Sequence, residues 1–279
     1  MTNEPVRRLI LFAGFCADAG NVTRSDIEYI RELSRFGEVY CWYDNDSLST
    51  KSKEEIGQIA GGLWQGKHGE YDFGSWKRLF QRLADIDLYD ELILTNNSLI
   101  ILDKLDRFFD FRTRCTEDFF SPIIVDEHYS GQDVFIDDYE ASYDKFERST
   151  MYTSAFWSLR KNLFISSFFE NFINSIGAEE NRLEVCYKYE RGFSRSLWRH
   201  NISVATLIPK LFRYVPLYTE DAFLLPSMGF PFIKQKALKQ EYYPIPDINS
   251  RCSALLQRVN IDYRDIFAEI AAKTVRSED

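Results

Sequence analysis

What this sequence has little of narrows its role before any motif does. No apolar run approaches the roughly 20 residues a membrane-spanning helix needs, and the stretch from Leu9 to Cys16 is too short and too soon interrupted for a signal peptide. Membrane contact is therefore expected to be peripheral at most, or made through a lipid-linked substrate. Cysteine is sparse and unpatterned: Cys16, Cys41, Cys115, Cys186 and Cys252 are odd in number and form no Cys-x-x-Cys pair. Neither a disulfide framework nor a zinc site is indicated, and a reducing cytoplasm fits, with the inner face of the plasma membrane as the place where a lipid-linked substrate would be met. Positive charge is in deficit, 34 Lys and Arg against 43 Asp and Glu, a net −9, which argues against a protein that lives on nucleic acid. Gly-x-Gly-x-x-Gly is missing after the first strand and Gly-x-Ser-x-Gly is missing throughout, so a dinucleotide enzyme and a serine hydrolase lack support. There is no internal repeat and no low-complexity segment.

What remains is ample for a core: 45% of 279 residues are hydrophobic and 16% aromatic, enough for one large α/β domain or two modest ones. Leu9 to Gly14 reads as a buried strand whose last glycine lets the backbone turn or approach a ligand. Ser25-x-x-Glu28 has the form of a capping box opening a helix with Ile27, Ile30 and Leu33 inward and Gly37 as its stop. Glu38 to Tyr43 is a second strand with a polar carboxyl end, Asp44 to Ser47. Strand, helix and strand at this spacing imply a parallel crossover. Gly61 to His68 nearly matches a phosphate loop but carries His68 where a hydroxyl is required and follows a helical stretch, so it reads as a coincidental loop. Ile101 to Phe109 reads as a helix, Ile123 to Val125 as a strand, and Ser130 to Ser149 as an acidic loop. Within it Asp137, Asp138 and Glu140 carry metal-compatible oxygens without a fixed ligand spacing, which favours a solvated face. Leu163, Phe164, Phe168, Phe172, Ile173 and Ile176 make one amphipathic helix, and Tyr263, Ile266, Phe267 and Ile270 a last one.

The informative stretch is Tyr71 to Ser98. Trp76, Leu79, Phe80 and Leu83 give a helical apolar face that Asp72 or Ser75 would cap. After a break near Asp87, Leu92-Ile93-Leu94 reads as a strand buried on both faces, with Asn96, Asn97 and Ser98 at its carboxyl end. That edge of an open α/β sheet is where ligands bind. Tyr71-Asp72-Phe73-Gly74-Ser75-Trp76-Lys77 followed by Tyr89-Asp90-Glu91-Leu92-Ile93-Leu94-Thr95-Asn96-Asn97-Ser98 resembles the rhamnan synthesis protein F family, bacterial glycosyltransferases that build rhamnose-containing surface polysaccharides. Two positions depart from the family pattern: Glu70 stands for its leading Gly, and Asn97 for the Asp of Asn-Asp-Ser. Shorter matches are Tyr152 to Leu159, Glu190-Arg191-Gly192-Phe193-Ser194, and Gly229-Phe230-Pro231-Phe232-Ile233-Lys234.

The resemblance implies a GT-A-like nucleotide-sugar-binding domain over residues 1–208, with a mostly parallel central sheet flanked by helices. Residues 209–279 follow as a helical carboxyl-terminal extension packing on that domain, near the acceptor or the membrane. It implies inverting transfer from dTDP-L-rhamnose or a similar donor to a glycan or lipid-linked glycan. Glu190, at the start of a helix, would be the catalytic base, or else an ordinary acid favoured there by the helix dipole. Gly14, Asp44, Asp72, Lys77, Asn96 and Asn97 would face the donor, Asp44 accepting from the base or serving as a turn cap. A divalent ion, magnesium or manganese, would sit by Asn97 with help from Asp126. Asn97 offers it no charge, which leaves three readings open: metal held mainly by the diphosphate and Asp126, transfer without metal using Lys77, arginines or helix ends, and a relative that only binds sugar. An alternative from another class is a non-catalytic glycan or nucleotide-sugar binding subunit of a polysaccharide assembly complex.

Overall fold

The computed structural model describes residues 6–17, 20–126 and 150–258. The acidic loop from Ser130 to Ser149 and the helix expected around Tyr263 to Ile270 lie outside these residues.

Strands and helices alternate first: β1 (Arg8–Gly14), α1 (Arg24–Leu33), β2 (Glu38–Tyr43), α2 (Thr50–Gly57), β3 (Gly62–Gln65), α3 (Tyr71–Arg82) and β4 (Glu91–Asn96). Next come β5 (Leu99–Ile101), α4 (Asp106–Arg114), β6 (Phe119–Phe120), β7 (Ile124–Asp126), β8 (Thr150–Tyr152) and β9 (Phe156–Arg160). The remainder comprises α5 (Lys161–Phe164), α6 (Ser167–Ser175), α7 (Arg182–Val185), a π-helical segment (Cys186–Arg191), α8 (Gly192–Arg199), β10 (Val204–Ala205), β11 (Leu211–Phe212), β12 (Phe232–Lys234), α9 (Gln235–Leu238) and α10 (Ile248–Leu256).

The central sheet has the order β10-β6-β9-β4-β1-β2-β3, and β9 runs against the other strands, which are mutually parallel. This is the α/β layout with a mostly parallel sheet that the strand and helix spacing implies. Every residue of β1 and β4 is buried, as a strand covered by helices on both faces requires. Because successive side chains point to opposite faces, Leu9 and Leu11 join Trp76, Leu79 and Trp157 in one core, while Ile10 and Phe12 join Ile27 and Ile30 in the other. Each such leucine-sized burial stabilises by about 1.5–3 kcal/mol. Two small sheets, β11-β7-β8 and β12-β5, attach the later chain, so residues after 209 pair with strands from the first half. No helix among the described residues is long and apolar enough to cross a membrane.

At the amino edge of the sheet Glu91 is wholly buried between two arginines. Its Oε2 accepts from Arg8 Nε at 2.7 Å and its Oε1 from Arg112 Nε at 2.6 Å, with the Ser158 hydroxyl as a third donor.

Several local expectations are corrected. The cap of α1 is Thr23, whose hydroxyl accepts from Asp26 N at 3.2 Å, rather than Ser25, and the helix stops at Leu33, before Gly37. Neither Asp72 nor Ser75 caps α3; both lie inside it, and Glu70 at the cap position bonds Arg78 instead. Residues 62–65 form an edge strand, not a loop, because Trp64 stacks on Tyr40 of β2 at 6.1 Å and gains cross-strand packing. Ile101 ends a strand, since β5 finds a partner in the distant β12, and the helix begins only at Asp106. The amphipathic run 163–176 is split at Ser166, which caps α6 by accepting from Phe169 N at 3.3 Å.

Candidate active site

The carboxyl end of β4 meets the amino end of α3. The indole of Trp76 donates to Thr95 O at 2.9 Å and fixes α3 against β4. Asp72, in the first turn of α3, thereby comes within reach of the last residue of β4, and Asn96 Nδ2 donates to Asp72 Oδ2 at 2.8 Å. Asn96 Oδ1 accepts from Ser98 N at 3.1 Å, so the amide's orientation is set from both sides.

A lysine to which the sequence reading assigned no role completes this corner. Antiparallel pairing of β12 with β5 sets Lys234 opposite Leu99. The next residue, Gln235, holds the turn after β4 through Gln235 N to Ser98 O at 2.9 Å and its side-chain Nε2 to Asn97 O at 2.8 Å. Lys234 is only 7% exposed, and among the described residues its ammonium makes no hydrogen bond. Burial pushes its pKa down to about 8, opposed by the fields of Asp72 and then Glu190. The Asp72 carboxyl is pushed up to about 6, again by burial, with Lys234 and Arg182 pulling the other way. The quoted segment Gly229 to Lys234 was the available signal for this residue, although only the fold gives it a neighbourhood.

Glu190 acts on the same corner. It does not begin a helix as expected; it lies in the π-helical segment between α7 and α8, and such wider turns recur at functional sites. Its Oε1 accepts from Ser154 N at 2.5 Å, while among the described residues Oε2 has no partner, which leaves one oriented oxygen available. Glu190 acts electrostatically on Asp72, Lys234 and Tyr218. Arg182 joins the group. Its guanidinium bonds Tyr242 and Tyr218, and those two rings meet edge-on at 4.9 Å. Two carboxylates, an amide, an ammonium and a guanidinium thus gather at the carboxyl edge of the sheet. A hollow of about 580 Å³ beside Phe36, Tyr40 and Tyr89 lies at the opposite edge and contains none of them.

The other candidates are placed nearby but are engaged by the protein itself. Gly14 gives way to Tyr43, since a Cβ on it would come within 2.3 Å of the Tyr43 ring. Asp44 accepts from His68 N at 2.6 Å and Gly69 N at 3.2 Å, tying the loop that leads into α3; Asp72 feels its charge. His68 is held neutral, its pKa lowered chiefly by burial, with Nδ1 accepting from Glu70 N and Nε2 paired to Ser75. Lys77 turns away and donates to Ile176 O at 2.6 Å and Asn174 O at 3.2 Å, closing the end of α6 as a cation at a helix carboxyl terminus does.

Of the two residues expected beside a divalent ion, Asn97 is committed to the protein itself. Asn97 Oδ1 accepts from Phe15 N at 3.3 Å, and its Nδ2 donates to Phe15 O and Asp26, so both ends of the amide are committed to the loop after β1. Asp126 belongs to the second sheet, opposite Thr150 of β8. Among the described residues no three His, Cys, Asp or Glu side chains are grouped as metal ligands. The acidic cluster at Asp137 to Glu140 lies outside those residues.

No protein-family model matches the chain, and no curated protein sequence matches it. Among solved structures it is similar to the apo form of the glycosyltransferase GlyE of Streptococcus pneumoniae TIGR4, at 11% identity and a TM-score of 0.45, over 97% of this chain and 64% of that one. It is also similar to core-mannan synthase A of Aspergillus fumigatus in its Mn/GDP form, at 10% identity and a TM-score of 0.35, over 78% of this chain and 74% of that one. The chain therefore spans 64% of the length of the GlyE chain.

Proposed function

We propose that this protein is a glycosyltransferase that moves a sugar from a nucleoside diphosphate donor to a hydroxyl of a glycan or lipid-linked glycan. The observation that carries this reading is the convergence of Asp72, Glu190 and Lys234 at the carboxyl edge of a mostly parallel sheet. Transfer needs a base for the acceptor hydroxyl, groups that orient the donor sugar, and positive charge where the leaving group develops negative charge. Glu190 is the base, with Ser154 N orienting its carboxylate and Oε2 turned to the acceptor. Asp72 and Asn96, locked to each other, take the donor sugar's hydroxyls. Asp44 shapes the 68–69 loop on the donor side, and Gly14 keeps the neighbouring Tyr43 in place.

One carboxylate base suits a single displacement with inversion at the anomeric carbon. The resemblance of Tyr71 to Ser98 to the rhamnan synthesis protein F family supports a deoxyhexose donor such as dTDP-L-rhamnose and a surface polysaccharide as product. The test is release of free nucleoside diphosphate from dTDP-, UDP- and GDP-sugars in the presence of glycan acceptors, wild type against Glu190→Gln. Release that depends on Glu190 is expected. Binding of a donor without turnover under any condition would instead favour a nucleotide-sugar binding subunit.

A further inference from the structure

We infer that Lys234, with Arg182 beside it, is the cation that receives the donor's diphosphate, and that sugar transfer by this chain runs without a divalent metal ion. The inference rests on the glycosyltransferase reading above and adds to it the identity of the charge that stabilises the leaving group.

Three observations converge on it. The first is the state of Lys234 itself: it is 7% exposed, fixed by the β12–β5 ladder and by the two hydrogen bonds of Gln235, yet its ammonium has no hydrogen-bond acceptor among the described residues. An ammonium held in place by its strand, with no acceptor among the described residues engaging it, is free to donate to a phosphate oxygen. The second is the arrangement around it. Asp72 and Glu190, the groups assigned above to donor and acceptor, both act electrostatically on the ammonium, so the lysine shares their corner. Arg182, steadied by Tyr218 and Tyr242, adds a planar donor suited to a second phosphate oxygen. The third is the misfit already described: Asn97, at the position where the resemblance calls for a metal-binding carboxylate, is spent on Phe15 and Asp26. A divalent ion at this corner would have to sit against two fixed positive charges.

The charges also adjust in the right direction. With its pKa near 6, Asp72 is readily protonated when further negative charge arrives, leaving Lys234 and Arg182 to face the diphosphate with less competition. In the step itself the acceptor oxygen bonds to the anomeric carbon and its proton passes to Glu190. The bond from that carbon to the phosphate oxygen breaks, its electron pair stays on the diphosphate, and Lys234 and Arg182 neutralise it.

The experiment is a calorimetric titration of the full chain with UDP, dTDP and GDP at pH 7, once with EDTA and once with excess manganese. The nucleotide that binds is expected to do so equally well in both. Lys234→Met should weaken it by about 10- to 100-fold while leaving the affinity for the parent nucleoside unchanged, and Lys234→Arg should keep it. Affinity in the wild type should fall as pH rises through about 8, where the free ammonium loses its proton, whereas Lys234→Arg should show no such fall. A merely structural lysine would not produce that profile. Binding seen only with manganese, or a Lys234→Met protein that binds as the wild type does in EDTA, overturns the inference and leaves the glycosyltransferase reading intact. Failure of every nucleotide and nucleotide-sugar to bind in either condition sinks the reading beneath it.

Discussion

Asn97 and Asp26 are joined by a hydrogen bond of 3.0 Å from the asparagine amide to the buried carboxylate, and the same nitrogen holds Phe15 O at 2.9 Å. The asparagine thus binds the turn after β4 to the loop after β1 and to α1. Aspartate at this position, as the rhamnan synthesis resemblance would have it, cannot donate to either acceptor and sets two carboxylates side by side. Asn97→Asp should therefore lower stability by about 1–3 kcal/mol, and manganese should not restore it. Melting curves with and without the ion decide this.

Asp26 gives a pH dependence with a definite sign. It is 1% exposed, its Oδ1 has no hydrogen-bond partner among the described residues, and burial raises its pKa to about 7 against the hydrogen bonds of Asn97 and Thr23. A carboxyl whose folded pKa exceeds its unfolded value binds more protons when folded. Stability is therefore lost as pH rises from about 4 to the folded value, by up to about 1.4 kcal/mol per unit. Asp26→Asn should remove that slope. Equal pH slopes for the two proteins between pH 5 and 8 would refute the assignment.

Glu91 is the keystone of the amino edge. Replacing it with alanine leaves Arg112, itself wholly buried, without its carboxylate partner, and should cost about 3–5 kcal/mol. Replacing Asp106, whose pair with Arg35 is half exposed, should cost at most about 1 kcal/mol. Denaturant midpoints for Glu91→Ala and Asp106→Ala measure the contrast.

Gly14 and Tyr43 make a matched pair. Gly14→Ala forces the Tyr43 ring aside and should destabilise by about 1–3 kcal/mol, as other overpacked sites do. The Tyr43 hydroxyl is buried with no partner among the described residues, so Tyr43→Phe should be neutral or stabilising. A ligand-facing glycine would show the reverse pattern, with alanine leaving the melting temperature alone and abolishing donor binding.

Glu190→Gln keeps size and one hydrogen-bond acceptor for Ser154 N but cannot take a proton. Nucleoside diphosphate release should fall by about 10²- to 10⁴-fold with donor affinity little changed, a split between kcat and donor binding that a structural glutamate would not give.

The framework was legible in the sequence wherever burial was local and continuous. Leu9 to Gly14 and Leu92 to Leu94 read as buried strands and the Trp76, Leu79, Phe80 repeat as a helix, and the fold has them so. Pairings between distant segments were not legible: nothing in Leu99 to Ile101 announces that Phe232 to Lys234 will lie beside it. The site shows the same division. Asp72 and Asn96 sit at element ends that the pattern fixes, and their contact follows. Asp44, Lys77 and Asn97 also sit at or near such ends, but the direction of a side chain there depends on neighbours from elsewhere, a loop amide, a helix terminus and a buried acid respectively. Residue type at a strand end is written in the sequence, whereas the partner that claims its polar atoms is a property of the assembled fold.

The pairing of β12 with β5 also sets an order of assembly. Asp72 and Asn96 leave the ribosome early, Glu190 much later, and Lys234 last among the charged groups of the corner. Until that final strand docks, a nascent chain holds its acids and its amide but not Lys234, so under the proposed role of that lysine a product truncated before residue 232 would lack the group that receives the diphosphate.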